Sequence, residues 1–309
     1  MDVLITGGDG FVGQHLCAEL IDRGHDVTSL SRTPNPSVLP DEVKLTEGDV
    51  TNFDSIEGAF EGKDVVVNLA ALPPLHQPPR ETSHDSVCIG GSINAVEAAE
   101  EHGVTKFIEM SSLGADPNGD IAYWRTQGLG EEVVRYSDLD WIIFRPSFIF
   151  GEGSETFTFI EQYTTPYVTV LPSGGKRPKF QPIWIGDCVQ MLADGVETDD
   201  YVGEIYELGG PEVLTFGDVT RLLYEANGKS VEVVSVPMSL AVTALYAADP
   251  IPQIPLGIDQ ARALEMTNVT DGNDVGAFGF DKSKLTTLSM YLSGEQRNPK
   301  QRSAQAKPP

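Results

Sequence analysis

The sequence predicts an α/β protein, a doubly wound parallel sheet followed by a smaller C-terminal α/β lobe. Three observations lead there. Apolar runs alternate with amphipathic ones over residues 1–150, the rhythm of parallel strands covered by helices. Beyond Gly151 the rhythm changes: proline and glycine become frequent and the elements shorten. The chain has 309 residues, 40% hydrophobic and 22% charged, which is enough for a sizeable core.

The elements follow in order. Val3-Leu4-Ile5 is a short buried strand, and Gln14 to Arg23 is helical with Leu16, Leu20 and Ile21 on one face. Gly24 is placed to stop that helix, and Asp26 to Leu30 resumes as a strand. Val43 to Leu45, Val65 to Leu69 and Phe107 to Met110 are further strands, with a helix over Ser92 to His102 between the last two. Trp141 to Phe144 is the sixth apolar run. In the second part, Asp187 to Gly195 reads as a helix and Ile205 to Leu208 as a strand. Thr215 to Asn227 is a helix with a threonine N-cap, and Val231 to Val236 alternates like a strand. Ser239 to Ala248 is an apolar helix, too short to span a bilayer, expected to pack on the sheet or on a partner. The expected division is 1–150 for the first domain, 151–293 for a lobe interleaved with it, and 294–309 for a disordered basic tail.

Composition excludes several classes. Forty-six acidic residues against 21 basic ones give a net charge of −25, and the pI is near 4.4. Such a surface repels nucleic-acid phosphates, so nucleic acid is not an expected partner. The acids are scattered rather than gathered in a tail, which suggests a whole-surface adaptation to a high-salt, halophilic cytoplasm. The opening strand carries no basic n-region or cleavage site, so a cytoplasmic location is expected. Cys17, Cys88 and Cys188 are too far apart for a metal knuckle or redox pair, and read as small core residues. The five histidines show no ligand spacing, and no metal is expected.

The strongest chemistry is the turn Thr6-Gly7-Gly8-Asp9-Gly10-Phe11-Val12-Gly13. Glycines at 7, 10 and 13 after a strand and before a helix let the backbone approach a pyrophosphate, which then rests on the helix N-terminus. The second strand ends Ser31-Arg32. Sites for NAD carry an acid there for the ribose 2′-hydroxyl, and Ser31 holds that place. Arg32 offers a cation that suits a 2′-phosphate, so NADP(H) is expected ahead of NAD(H). Asp49, in Gly48-Asp49-Val50, is positioned to accept from an adenine amino group or to cap the helix starting near Asn52.

The order of TGGDGFVG, GDV, Asn68-Leu69-Ala70-Ala71, Ser111-Ser112-Leu113-Gly114-Ala115, Tyr123-xxx-Gln127 and Arg145-Pro146-Ser147 resembles the short-chain dehydrogenase/reductases. More closely, the chain resembles their atypical, epimerase/dehydratase-like branch, which holds the Rossmann-type accessory subunit of mitochondrial complex I and its prokaryotic relatives. Gln181 to Asp187 and Tyr206 to Pro211 extend the match to about residue 290. The resemblance implies a Rossmann domain, a substrate lobe and bound NADP(H). It carries over to cofactor contact Gly7, Gly10, Phe11, Val12, Gly13, Arg32, Asp49, Val50, Leu69, Ala70, Ala71, Ser111, Tyr123, Pro146 and Ser147.

The catalytic centre departs from that family. Its reductases pair a tyrosine with a lysine one helical turn on, whose charge lowers the phenol pKa, while a serine or threonine orients the carbonyl. Here Tyr123 is in place, the lysine position is Gln127, and the acting hydroxyl falls to Ser112 because Leu113 follows the paired serines. Tyr123 therefore reads either as catalytic or as an aromatic packed by the nicotinamide. Asp187 is expected to act as an N-cap and lobe anchor, and His76 and His84 face the substrate side in a Pro-rich loop.

Three functions compete. The first is an NAD(P)-dependent oxidoreductase acting on a small molecule, quinone-like or isoprenoid-related. The second is a cofactor-binding sensor or assembly partner of a respiratory complex, peripheral to the membrane. The third, a nucleotide-sugar epimerase or dehydratase, wants an arginine-rich lobe. Between residue 150 and the tail this chain has only Arg177, Arg221 and Arg262.

Overall fold

A computed structural model describes residues 1–72, 82–154, 157, 160, 167–248, 262–263 and 266–295. His76, the proline-rich stretch at 251–255 and the tail beyond 295 lie outside the described residues. The chain divides into two compact units. The first comprises Met1–Pro73, Pro78–Pro146 and Val189–Tyr206, and the second Pro74–Gln77, Ser147–Cys188 and Glu207–Pro309.

The first unit is built on β1 (Asp2–Thr6), α1 (Phe11–Asp22), β2 (Asp26–Ser31), β3 (Lys44–Glu47), the short α2 (Phe53–Ile56) and β4 (Val65–Asn68). After these come α3 (Gly91–Glu101), β5 (Lys106–Met110), α4 (Ala122–Arg135) and β6 (Asp140–Pro146). Val3, Leu4, Ile5, Val66, Val67, Ile142 and Ile143 are wholly buried, which explains why these strands read as unbroken apolar runs. The strand order is β3-β2-β1-β4-β5-β6, extended by β11 (Ile205–Leu208). Every pairing from β3 to β6 is parallel. That order reverses between β1 and β4, the switch point where doubly wound sheets bind nucleotides. The expected Rossmann architecture is therefore present.

Local chemistry sets the boundaries. Gly24 adopts φ +86° and its N–H bonds Ile21 O, so it ends α1 as expected. One face of the sheet packs Leu4, Leu30, Val66 and Phe107 against Ala95, Ala98 and Ala99 of α3 and Val134 of α4. A π-helical turn, Asp85–Gly90, leads into α3. It lengthens the helix beyond the expected Ser92 start.

The second unit holds β7 (Ile149–Phe150), β8 (Tyr167–Pro172), β9 (Lys179–Phe180), β10 (Ile183–Trp184), β12 (Leu214–Thr215), α6 (Phe216–Ala226), β13 (Val231–Val236), α7 (Met238–Ala248), β14 (Thr267–Asn268) and α8 (Leu288–Leu292). Helix α5 (Ile185–Glu197) is shared between the two units. The pairs are β7–β10, β8–β13 and β9 with both β12 and β14. Phe150, Ile160, Val219, Leu223 and Leu288 form its core. Thr215 caps α6 as expected, within a full capping box with Asp218.

Candidate functional site

The turn between β1 and α1 has steric reasons for each glycine. Gly7 sits at φ +69°, a left-handed conformation that glycine alone adopts freely. It packs on the chain after β4, where a Cβ would lie 3.4 Å from Leu69 C and O. At Gly13 a Cβ would stand 2.4 Å from Gly7 O and 2.6 Å from Gly8 Cα, so this glycine seats α1 on the turn. Gly10 differs: a Cβ there would meet only Gly7 O, at 3.1 Å. The methyl would project into the space above the turn rather than into protein. Gly10 is also the N-cap of α1, and no side chain caps that helix and no acid enters its first turn. Uncapped N–H groups beneath an open glycine fit a dinucleotide pyrophosphate.

The other expected contact residues are engaged in varied ways. Leu69 and Ala70 lie against Gly7 at the switch point. Phe11 is partly exposed and stacks edge-on with His15. Arg32 is exposed and makes no ion pair among the described residues. Asp49 does not cap α2, whose N-cap is Asn52. Its Oδ1 accepts from Thr51 N at 2.9 Å and Thr51 Oγ1 at 2.8 Å, and so shapes the turn. Val50 is core, and its carbonyl accepts from Asn94 Nδ2 at 2.7 Å. Pro146 ends β6, where its carbonyl accepts from Leu113 N at 2.9 Å. Ser147 begins the second unit and is fully engaged there. It donates to Asn268 O and Oδ1 at 2.8 and 2.6 Å and accepts from Gln181 N at 3.1 Å.

The structure brings Ser112, Tyr123 and Gln127 together. Gln127 follows Tyr123 by one turn of α4, and the Tyr123 hydroxyl is hydrogen-bonded by Ser112 and Gln127. By surface area Tyr123 is partly exposed, yet it is densely surrounded, and removal from water pushes the phenol up to about 12. Proximity to Cys88 acts in the same direction, and the two hydrogen bonds only partly oppose it. His84, 6% exposed, lies edge-on to Tyr123 with ring centroids 5.8 Å apart. Asp187 falls within the first turn of α5 and not at its N-cap. Its Oδ2 accepts from Thr286 N at 2.8 Å, which anchors the lobe from within.

A buried polar network was not anticipated from sequence. Thr6 donates to Asn68 Oδ1 at 2.5 Å, and Asn68 Nδ2 donates to Glu109 Oε2 at 2.8 Å. Burial drives the Glu109 carboxyl up to about 8, with nearby Glu131 adding to the rise. Glu131 in turn accepts from Ser111 and from Arg145 Nε and Nη2, the latter two at 2.8 and 2.5 Å. Ser111, an expected cofactor contact, thus has its hydroxyl committed to Glu131. The signal was present: Glu109 is the one acid in the apolar strand KFIEM.

Known proteins resemble this chain in sequence and in fold. The family model described as NAD(P)H-binding matches residues 7–168, from the glycine turn to the start of β8. The chain is 29% identical over 199 residues to the mitochondrial NADH-ubiquinone oxidoreductase 40 kDa subunit of Neurospora crassa, covering 64% of this chain and 51% of that protein. It therefore spans about half the length of that relative. It is 28% identical over 277 residues to a 3-beta-hydroxysteroid dehydrogenase of Mycolicibacterium neoaurum, covering 79% and 75% of the two chains. The UDP-glucose 4-epimerase of Thermus thermophilus, solved with NAD, superposes with a TM-score of 0.72 at 20% identity over 96% of this chain and 98% of that one. That likeness is one of fold. The chain belongs to the NAD(P)H-binding family that the matching family model describes, on a Rossmann fold.

Proposed function

We propose that the chain binds NAD(P)(H) on the β1–α1 turn and donates hydride to an acceptor that needs no proton from Tyr123. A quinone-like compound is the class that fits this requirement: hydride addition leaves a hydroquinone monoanion, which takes its proton from water. When bound, the nicotinamide supplies the hydride. The protein's residues bind, orient and hold protons. Gly7, Gly10 and the first turn of α1 would hold the pyrophosphate, with Leu69 and Ala70 beside it at the switch point.

The observation that carries this reading is the pairing of Tyr123 with neutral Gln127. An amide hydrogen-bonds the phenol but supplies no field to bring its pKa near 7, and the phenol sits at about 12. A group that reluctant to part with its proton is a weak acid for carbonyl reduction, and its phenolate is too scarce at neutral pH to act as base for alcohol oxidation. On cofactor choice, exposed Arg32 exerts a pull toward NADP(H), and both NADP(H) and NAD(H) suit the turn itself.

The name of the Neurospora relative supports a second reading, in which the chain serves a respiratory complex as a peripheral, cofactor-holding partner. Among the described residues no helix is long and apolar enough to cross a membrane. A single-turnover assay separates the readings. Bound NADPH or NADH is mixed with quinones and with aldehydes, and nicotinamide absorbance is followed. Oxidation by quinones that persists in Tyr123→Phe supports hydride donation, and absence of any oxidation supports the cofactor-holding role. Fast aldehyde reduction that depends on Tyr123 would contradict both.

A further inference from the structure

The end of β2 carries an acid that its own sequence lacks. Asp9, between Gly8 and Gly10 in the glycine turn, reaches across to that strand end. Its Oδ2 accepts from the Ser31 hydroxyl at 2.9 Å and from the Asn35 backbone N–H at 3.1 Å. Among the described residues its second oxygen, Oδ1, has no hydrogen-bond partner, and the residue is partly exposed. Ser31 is the position where NAD sites carry a carboxylate for the ribose 2′-hydroxyl. The carboxylate is thus delivered to that place through space, from 22 residues earlier in the chain.

We propose that Asp9 is a specificity-determining residue that turns the site toward NAD(H), against the pull of Arg32. This rests on the dinucleotide reading above. A free carboxylate oxygen accepts a hydrogen bond from a 2′-hydroxyl. A 2′-phosphate offers it no donor and brings about 1.5 to 2 further negative charges. The two opposing groups are not equally placed. Asp9 is fixed by two hydrogen bonds, whereas Arg32 is exposed, unpaired among the described residues, and must give up side-chain freedom to engage a phosphate. The ordered anion therefore outweighs the mobile cation.

The test is titration of NADH and NADPH by fluorescence transfer from tryptophan to the nicotinamide, on wild type, Asp9→Asn and Arg32→Ala, at low and high salt. Asparagine keeps an oxygen for Ser31 and Asn35 and removes only the charge. Wild type is expected to bind NADH more tightly than NADPH, and Asp9→Asn to move the ratio toward NADPH by about tenfold. Raising salt should narrow the wild-type gap, because a screened carboxylate repels less. This salt arm needs no variant and stands even if Asp9→Asn fails to fold. A ratio that is the same in wild type and Asp9→Asn, or a wild-type preference for NADPH that Arg32→Ala abolishes, overturns the proposal. Failure of wild type to bind either nucleotide overturns the dinucleotide reading, and this inference with it.

Discussion

The glycine turn and the Tyr123 centre lie on the same sheet, yet one meets its chemical demands and the other does not. The turn's requirements are steric. Gly7 needs its positive φ, and Gly13 must leave room for Gly7 O, simply to seat α1 on β1. Folding alone requires these glycines, whatever the turn binds. The demand at α4 is electrostatic, for a lysine there would supply the charge that lowers the phenol pKa. Gln127 fills that buried place with a hydrogen bond to Tyr123 and no charge. On the function proposed above, the chain keeps a nucleotide cradle while its proton chemistry lapses.

The largest expected effect restores the missing charge. Gln127→Lys should raise aldehyde or ketone reduction at neutral pH by about 100-fold or more, the usual worth of a working general acid. Tyr123→Phe in the same chain should cancel the gain. Steady-state assays of the single and double variants check this, and a gain that survives Tyr123→Phe would break the contrast between the two regions.

Glu109, hydrogen-bonded by Asn68 of the neighbouring strand, gives the next effect. Its folded pKa of about 8 lies above the ordinary carboxylate value of 4.5, so the folded chain holds this proton more tightly than the unfolded one. Its contribution to stability is complete below pH 4.5 and is lost as pH rises through about 8. Glu109→Gln, which keeps an acceptor for Asn68, should flatten that loss and stabilise the protein above pH 8 by roughly 2–4 kcal/mol. Urea denaturation across this pH window is the measurement.

Gly10 and Gly13 sharpen the division between fold and ligand. Gly13→Ala forces a Cβ into backbone and should cost roughly 1–3 kcal/mol of stability. Gly10→Ala, which meets only one atom at 3.1 Å, should leave stability within about 0.5 kcal/mol while weakening nucleotide binding. Thermal melts paired with NADH titration decide it. The smallest effect concerns the −25 net charge. Added salt should raise the melting temperature by a few degrees, as it screens self-repulsion on an acidic surface.

What was legible in the sequence follows the same line between sterics and electrostatics. The buried strands, the glycine turn and the Thr215 cap are local patterns, and the structure places them where periodicity does, within a residue or two. Helix α4, by contrast, carries Gly128 and Gly130 in its interior, where glycine weakens helix propensity. At Gly128 a Cβ would lie 2.5 Å from Pro117 N, so the glycine marks a close approach inside a helix. Two features depend on contacts far apart in the chain. Asp9 meets Ser31 only once β1 and β2 are paired, and Glu109 meets Asn68 across β4 and β5. No period in the sequence encodes either meeting.

The most direct test of the account is the ionisation of Tyr123 itself. Ultraviolet pH titration of wild type minus Tyr123→Phe isolates the phenolate signal of this one residue. The account predicts no Tyr123 phenolate below about pH 10, and its appearance near pH 7 once Gln127 is replaced by lysine. A wild-type phenol that already titrates near pH 7 would show that another group does the work of the absent lysine, and would contradict the reading of this centre as unpowered.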